Sequence, residues 1–513
     1  MKKIYTTLAL LFVNIILGQT PQVIETFGEI TPVTNVYGDL FFGVYNGSSA
    51  LFKNNGSIGG TTLVKNGPYP VGYVNMESSS AVSNNIYYFI STIAGYSKIW
   101  RSDGINSGTY AVGNTQVLGT LPNSIVTSNN LIYFQGTDAT NGGELWKSDG
   151  TSAGTMLVKN INNTNLSSNI SNIFSFNGSL YFSANNGTSG NELWKTDGST
   201  AGTVLVKDIV TGSDSSDPKN FTISNNTLYF TALGGLWKTD GTIVGTVRIS
   251  YASDFYSPQY LVDVNGILYF DYKNSTTGIE LWKSDGTTIG TTLVKDIAPG
   301  SDDSFAEKLI NVNGTLFFKA NFNQLWKSDG SSVGTVLVKN GFVNSFPEPS
   351  LLSISKSVNG ILYFNGRNNV AGNELWKSDG TTAGTIMVSD LVTGVNPSNP
   401  SNLIQINNDL FFKTKPFPSS NDTLYKLAVA PLSQNKFNQN LLISIYPNPT
   451  NSILSIETQE KITSISLINI LGKKTNISNF ENNKIDVSAL QNGVYFIEIA
   501  TEKGLQTQKF IKN

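Results

Sequence analysis

The chain contains neither cysteine nor histidine. Without Cys it can form no disulfide, thiolate nucleophile, lipidated Cys or Cys-ligated metal centre. Without His it has no His-based catalytic triad, haem ligand or His–zinc site. Arginine is also scarce and occurs only at Arg101, Arg248 and Arg367. Any catalysis must therefore use Asp, Glu, Tyr, Lys, Ser, Thr or Arg, and we predict no cofactor and no metal site.

Charge is sparse as well. Charged residues make up 14% of the chain and the net charge is -2, whereas soluble domains carry roughly 25% charged residues. No basic stripe is interleaved with aromatic residues, so neither a nucleic acid nor an anionic membrane surface is an expected partner. At 513 residues the chain exceeds one ordinary core, which predicts several domains or a repeat array.

Residues 1–18 have the pattern of a secretory signal peptide. Lys2 and Lys3 form the positive region, Leu8 to Leu17 form the apolar core, and cleavage is expected near Gly18-Gln19. A membrane anchor is the alternative, but the apolar run is short for a bilayer. No later stretch is long and apolar enough to span one, so we predict an exported chain.

The tryptophans reveal an internal repeat of about 43 to 50 residues, which must be recognised before any fold is assigned. Each lies in a version of ELWKSDGTTAGT, and an aromatic strand such as TLFF or ILYF precedes it. Phe52 in ALFKNNGSIGGT and Tyr425 in TLYKLA are degenerate copies, which makes nine units. The tryptophans are Trp100, Trp146, Trp194, Trp237, Trp282, Trp326 and Trp376.

One unit, 308–340, divides into four strands. LINV and TLFFKA flank the turn Asn313-Gly314, and QLWKSD and TVLVKN flank DGSSVG. Asn-Gly between two such runs is a strong hairpin signal. A four-stranded meander repeated around an axis is typical of a β-propeller, and a β-solenoid is the main alternative. We predict an all-β ring over 19–430 with nine blades, or eight if a terminal unit is not a true blade.

Two repeated residues have both a structural and a functional interpretation. The tryptophans fit packing between neighbouring blades, and a row of ligand-stacking rings is the alternative. The Asp of each DGT loop fits a turn that it stabilises by hydrogen bonds to the backbone. A row of calcium ligands is the alternative, but one Asp in a short loop supplies too few oxygens.

The last unit lacks a clear fourth strand, and an orphan strand-like segment, Gln22–Phe27, precedes the first unit. We predict that this segment supplies the missing outer strand and closes the ring, because an open edge would expose unpaired backbone groups.

Alternate loops of a meander lie on the same face. The loops between third and fourth strands hardly vary, whereas those between second and third strands, and those between blades, do. We call the two faces the constant face and the variable face, and we expect any ligand on the variable face. Its candidate ligand-binding residues are two acidic segments and one arginine: Asp214, Asp217, Asp302, Asp303 and Arg367. The alternative is that they are solvated connections.

The repeat, with LVKDI after it and VNGILYF before it, resembles the ELWxxDGT repeat family of exported bacterial proteins over about 30–428. Phe52, Tyr425 and the missing last DGT loop depart from that pattern. The resemblance implies a fold and little about activity.

After a polar linker, 431–440, the segment 441–513 has the periodicity of a small antiparallel β-sandwich. The segment contains a Leu471-Gly472 turn, Val494 and the motif residues Tyr446, Pro447, Asn448, Pro449, Gly493, Tyr495 and Lys509. With these residues it resembles the type A sorting domain of the type IX secretion system. That resemblance implies a Bacteroidetes-type bacterium, recognition by the secretion machinery, and removal of the domain on release or surface attachment.

Three functions remain open at this point. The first is a secreted or surface binding module for a glycan, a protein or extracellular matrix. The second is a propeller enzyme that acts on polysaccharide with carboxylates or with Tyr and Lys; a sialidase is disfavoured because the three arginines cannot easily converge. The third is a purely structural surface component. The absence of a catalytic constellation favours the first.

Overall fold

The computed structural model describes residues 20–68, 80–93, 96–113, 115–117, 125–138, 140–163, 165–250, 256–343, 350–416, 419, 421–429, 443–458, 460–469, 474–477, 480, 482–501 and 504–513. The signal peptide, the linker 431–440 and the Leu471-Gly472 turn lie outside them. Every regular element in these ranges is a strand. The chain divides into two compact units, Met1–Val429 and Ala430–Asn513.

The first unit contains antiparallel sheets that follow one another along the chain, and we number them in that order. Sheet 1 comprises Glu29–Ile30, Thr34–Val36, Asp39–Tyr45, Ser49–Asn54 and Thr61–Asn66. Sheet 2 comprises Ser80–Ser83, Ile86–Ile93, Tyr96–Ser102 and Tyr110–Ala111. Sheet 3 comprises Gln116–Val117, Ile125–Ser128, Leu131–Asp138, Gly142–Ser148 and Met156–Lys159.

The next three sheets have four strands each. Sheet 4 comprises Ser171–Phe176, Ser179–Asn185, Asn191–Thr196 and Val204–Lys207. Sheet 5 comprises Lys219–Ser224, Thr227–Ala232, Gly235–Thr239 and Val247–Arg248. Sheet 6 comprises Gln259–Val264, Ile267–Asn274, Gly278–Ser284 and Thr292–Lys295.

The last three sheets complete the unit. Sheet 7 comprises Glu307–Val312, Thr315–Ala320, Gln324–Ser328 and Val336–Lys339. Sheet 8 comprises Ser355–Val358, Ile361–Gly366, Glu374–Ser378 and Ile386–Met387. Sheet 9 comprises Ser401–Ile406, Asp409–Thr414 and Asp422–Ala428, with Gln22–Phe27 as its outer strand.

Neighbouring sheets share their cores. In the cluster between sheets 3 and 4, Tyr133 and Leu145 of one sheet pack with Phe182 and Trp194 of the next. A sheet of this size cannot bury both faces alone, so each needs its neighbours. The first strands of successive sheets also contact one another from sheet to sheet, which places them on the inner side of the ring. The unit is therefore a β-propeller, as the repeat predicts.

The N-terminal segment closes the ring. Gln22–Phe27 pairs antiparallel with Asp422–Ala428, which confirms the predicted outer strand. Just beyond it, the Ile30 N–H donates to Asp422 Oδ2 at 2.7 Å and Lys413 Nζ donates to the Ile30 carbonyl at 2.5 Å. Lys413 and Asp422 are themselves 3.5 Å apart and buried. A buried ion pair thus holds the first sheet to the last.

The second unit is the predicted small sandwich. Its three-stranded sheet comprises Ser444–Tyr446, Ile453–Glu457 and Lys484–Asp486, and its four-stranded sheet comprises Ile462–Asn469, Lys474–Ile477, Gly493–Thr501 and Gly504–Lys512. The two sheets share one core, which includes Leu454, Ile485, Ile497 and Phe510.

Candidate functional site

The DGT loops of the constant face are stabilised by their own side chains. In sheet 7, Asp329 Oδ1 accepts from the Ser331 N–H at 2.8 Å and from Ser331 Oγ at 2.7 Å, and the Gly334 N–H donates to Ser331 Oγ at 2.9 Å. The same pattern recurs in other sheets, at Asp149, Asp197, Asp240, Asp285 and Asp379. The repeated Asp therefore acts as a turn-stabilising residue.

The constant face is also tied together from sheet to sheet. Lys283, directly after Trp282, donates to the Gly330 carbonyl of the next DGT loop at 2.8 Å, and Lys295 donates to the Thr335 carbonyl at 2.8 Å. A cleft of about 570 Å³ between sheets 4 and 5 is lined by such groups, among them Lys238, which donates to the next loop. These lysines of the constant face are thus already engaged in the fold.

A buried glutamate holds the connection that leaves some sheets. Glu374 accepts from the Leu391 and Ser398 N–H groups at 3.3 and 2.9 Å and from Ser398 Oγ at 2.6 Å. Burial raises the pKa of Glu374 to about 7. The same carboxylate–serine pairing joins Glu144 to Ser168, Glu192 to Ser216 and Glu280 to Ser304. Sequence reasoning missed this role, although a Ser follows each of these glutamates by 24 residues.

Sheets 5 and 7 depart from this arrangement on the variable face. Gly235 and Gln324 stand where sheets 3, 4, 6 and 8 have the glutamate, and sheets 1, 2 and 9 have Ala50, Lys98 and Thr423 there. These two sheets also have the shortest spacing from the last Phe of the second strand to the repeat tryptophan, seven residues to Trp237 and eight to Trp326. Each short turn contains an exposed apolar residue at positive φ, Leu233 at 48° and Phe322 at 68°.

Sheets 6 and 7 also differ from other sheets in the residue at the start of their first strand. Sheets 4, 5 and 9 place an asparagine at a bulge with φ of 54–56°, and Asn tolerates this conformation better than most residues. Sheets 6 and 7 place Tyr260 and Lys308 there, at φ 54° and 55°. Lys308 Nζ lies 5.3 Å from the centre of the Tyr260 ring, a cation–π contact. The asparagines are Asn172, Asn220 and Asn402.

Further charged groups surround this contact. Glu307 and Lys319 form an ion pair at 2.8 Å. Tyr256 Oη donates to Asp271 Oδ2 at 2.5 Å, and the Gln259 N–H donates to Asp271 Oδ1 at 2.6 Å. We call Tyr256, Tyr260, Asp271, Glu307, Lys308 and Lys319 the sheet 6–7 patch.

The members of the patch differ in accessibility. Asp271 is 0% exposed and burial raises its pKa to about 6. Burial and then the nearby Glu307 raise the pKa of Tyr260 to about 12, so its hydroxyl stays protonated. Both oxygens of Asp271 are engaged within the chain, so it supports the connection. Tyr260, Glu307 and Lys308 are partly exposed and can contact a ligand.

The acidic segments expected to bind a ligand occupy equivalent points of different sheets. A side chain at Gly190 would meet the Asp214 carbonyl, and one at Gly278 would meet the Asp302 carbonyl. Asp217 accepts from Asn191 Nδ2 at 3.1 Å, and Asp303 accepts from the Ile279 N–H at 2.8 Å. The segments therefore close over sheets 4 and 6 separately. Arg367 follows the second strand of sheet 8.

The repeat tryptophans lie in the clusters between sheets. Trp146, Trp194, Trp237 and Trp376 are buried, and Trp100, Trp282 and Trp326 are partly buried against the same kind of cluster. Within the described ranges, no group of three or more His, Cys, Asp or Glu is placed to hold a metal ion.

In the second unit, the two ends of the sorting motif meet. Asn448 Nδ2 donates to the Lys509 carbonyl at 2.9 Å, and the Ile511 N–H donates to Asn448 Oδ1 at 2.9 Å. Tyr446 beside it, in the Tyr446-Pro447-Asn448-Pro449 segment, is 53% exposed. At the other end, Tyr495 two residues after Gly493 stacks on Phe510 with ring centres 5.7 Å apart. Asn448 thus fastens the C-terminal strand along its edge.

Comparison with known proteins identifies this second unit. Residues 444–513 match the family described as "Secretion system C-terminal sorting domain". The chain therefore carries a type IX sorting domain, which the secretion machinery recognises, and is exported to the cell surface or the extracellular space. In the part of the chain that the structure describes, no helix has the length and apolar character to cross a membrane.

The propeller is similar to solved structures at low identity. A computationally designed protein, Ika8, has a TM-score of 0.41 and 13% identity, with 68% of this chain and 95% of that one covered. BamB from Moraxella catarrhalis has a TM-score of 0.36 and 11% identity, with 80% of this chain and 100% of that one covered. No curated protein matches the chain in sequence. The fold therefore rests on the strand pairing described above.

Proposed function

We propose that the propeller is an extracellular binding module, exported by the type IX route, whose ligand-binding surface is the variable face at sheets 5 to 7. The sheet 6–7 patch carries the proposal. Tyr260 and Lys308 replace the asparagine that suits a bulge at positive φ, and departures of this kind from local preference concentrate at functional sites. The predicted signal peptide and the resemblance to ELWxxDGT repeat proteins agree with such a role.

An enzyme is the weaker candidate because the buried carboxylates are already committed. Glu144, Glu192, Glu280, Glu374 and Asp271 each accept hydrogen bonds from backbone N–H groups and from a Ser or Tyr hydroxyl. A general base needs a lone pair that reaches the substrate. The partly exposed Tyr260, Glu307 and Lys308 suit binding better than proton transfer.

The test replaces Tyr260 and Lys308 with the asparagine that other sheets have at this position. The full chain and its Tyr260→Asn/Lys308→Asn variant are compared in binding to immobilised polysaccharides and to extracellular matrix proteins. We expect the native protein to bind saturably and the variant to lose at least about tenfold in affinity, or about 1.4 kcal/mol. Val333→Asn, an exposed position in a constant-face loop, is the matched control and should bind normally. Equal binding by all three proteins would locate the site elsewhere.

A further inference from the structure

Sheet 2 differs from sheets 3 to 8 at one pair of facing residues beside its DGT loop, on the constant face. Arg101 of the third strand lies opposite Tyr110 of the fourth. In sheets 3 to 8 the same pair is a lysine opposite a Met, Val, Thr or Ile. Two facing residues therefore change together in one sheet, and departures from a repeated local pattern concentrate at functional sites.

The lysines that correspond to Arg101 are engaged within the ring. In sheets 3 to 6 each of them donates to the Gly carbonyl of the next DGT loop at 2.8 Å. Arg101 donates no hydrogen bond to any residue that the structure describes, and its Nε is excluded from solvent without a partner. The next loop instead accepts a hydrogen bond at the Asp149 carbonyl, from the Tyr88 hydroxyl at 3.4 Å.

Aromatic side chains hold Arg101 in place. Its Cζ lies 5.3 Å from the centre of the Tyr110 ring, a cation–π contact, and Tyr88 faces Arg101 from the second strand. Arg101 is partly exposed and Tyr110 is 39% exposed. Because Nε is the only nitrogen of the Arg101 side chain that is both buried and unpartnered, the two Nη groups reach solvent. The guanidinium therefore presents two N–H donors at the surface from a fixed position.

The charge of Arg101 is also uncompensated within the described residues, where it forms no ion pair. In the next sheet along, the pKa of Asp197 is lowered by hydrogen bonds within its own loop and, more weakly, by the charge of Lys147. Hydrogen bonds within its loop also lower the pKa of Asp149, but Arg101 does not contribute there. The charge of Arg101 thus remains available to an anion.

We propose that Arg101 and Tyr110 bind one uronate unit of an acidic extracellular polysaccharide, with the Arg101 Nη groups donating to its carboxylate. This is a second site, on the face opposite the sheet 6–7 patch, and it does not depend on the function proposed above. A guanidinium presents paired N–H donors that match the two oxygens of a carboxylate, and the Tyr110 ring offers a flat surface to the sugar ring. One cation beside one aromatic ring suits a single monosaccharide, whereas a protein partner would need a broader apolar centre.

The test compares two forms of one polymer. Polygalacturonate carries a carboxylate on every unit, and its fully methyl-esterified form has the same backbone without the charge. We expect the full chain to bind immobilised polygalacturonate saturably, more weakly at high ionic strength, and not to bind the esterified form. Arg101→Gln should lose at least about tenfold in affinity, or about 1.4 kcal/mol. Arg101→Lys keeps the charge without the paired donors and should lose severalfold.

The chain offers a matched control at Lys377. It occupies the position of Arg101 in sheet 8, where it lies opposite Ile386 instead of a tyrosine. Lys377→Gln removes the same charge from the same face and should bind polygalacturonate like the native chain. Thermal unfolding checks that each variant is folded. Equal losses in Arg101→Gln and Lys377→Gln would mean that binding follows overall charge and would overturn the site.

The remaining outcomes separate this site from the one proposed on the variable face. If the native chain binds both forms of the polymer equally, the carboxylate is not recognised and the proposal is refuted. If it binds no polygalacturonate, with or without binding to acidic matrix proteins, the ligand class is wrong. The Tyr260→Asn/Lys308→Asn variant should bind polygalacturonate normally, so that either site can fail while the other stands.

Discussion

At the scale of single residues, the buried carboxylates make the ring sensitive to pH. Burial raises the pKa of Glu374 to about 7 and that of Asp271 to about 6. Between the ordinary carboxyl pKa near 4 and these values, the folded state holds protons that the unfolded state has lost. Stability from this source is therefore complete below about pH 4 and is lost as the pH rises to about 7.

We accordingly expect the Tm of the full chain to fall by several degrees from pH 5 to pH 8. Glu374→Gln should flatten part of this slope, because a neutral amide replaces the group that titrates. The exposed Asp214 provides the control, and Asp214→Asn should leave the slope as it is. Thermal unfolding followed by circular dichroism at both pH values measures the effect. A Tm that rises with pH would contradict the argument.

The residue scale also shows how far spacing alone can predict a site. The tryptophans and the turn Asp recur at fixed intervals, so their structural roles can be inferred from the sequence. Glu374 and Ser398 are 24 residues apart, and the segment that connects sheets 8 and 9 lies between them. No local sequence pattern indicates that they pair. Nothing in the sequence distinguishes Tyr260 and Lys308 from other strand residues. Only the structure shows that other sheets have asparagine at the same bulge.

At the scale of elements, the DGT loop should be a modest but measurable source of stability. Asp329→Ala removes the acceptor of two hydrogen bonds from Ser331, each of which contributes about 0.5–1.5 kcal/mol. We expect a Tm lower by about 1–3 °C for a chain of this size. Asp302→Ala, an exposed aspartate in the connection that leads into the same sheet, should change Tm by less than half as much. A Tm unchanged by Asp329→Ala would show that the turn does not depend on its Asp.

Ring closure should be far more sensitive. Asp422→Ala leaves Lys413 buried without its partner, and breaking a buried ion pair costs about 3–5 kcal/mol. Asp409 pairs with Lys426 at 2.7 Å in the same sheet, but both side chains are more than a quarter exposed, so Asp409→Ala should cost less than about 1 kcal/mol. Chemical unfolding compares the two variants, and limited proteolysis should cut the N-terminal segment first in Asp422→Ala. Equal losses would mean that the buried pair does not hold the closure.

Elements were predictable where a turn signal bounded them. Asn313-Gly314 is the turn between the first two strands of sheet 7, as the dipeptide predicts. The two-residue strands Glu29–Ile30 and Gln116–Val117, which give sheets 1 and 3 a fifth strand, are too short to show any periodicity. Their pairing depends on where the chain passes between neighbouring sheets.

At the scale of the whole molecule, the sequence separates into two modules because repetition stops where the second module begins. What it cannot predict is which residues of different sheets meet on one face. Lys308 reaches the Tyr260 ring across 48 positions of sequence, and the contact exists only because successive first strands lie side by side. The proposed ligand surface is therefore a property of the assembled ring.

The sorting module yields a prediction about the fate of the entire chain. Asn448 holds the Lys509 carbonyl and the Ile511 N–H, so its side chain substitutes for a paired strand along the C-terminal edge. Asn448→Ala should leave the Lys509 carbonyl and the Ile511 N–H without their side-chain partner and loosen the C-terminal edge that carries part of the sorting motif. We expect the variant chain to accumulate in the periplasm with its sorting domain uncleaved and to be depleted at the cell surface, as measured by fractionation and immunoblotting. Ser464→Ala, at an exposed position of the same module, should be exported normally. Normal export of Asn448→Ala would mean that the secretion machinery recognises the motif without the hydrogen bonds from Asn448 to the C-terminal strand.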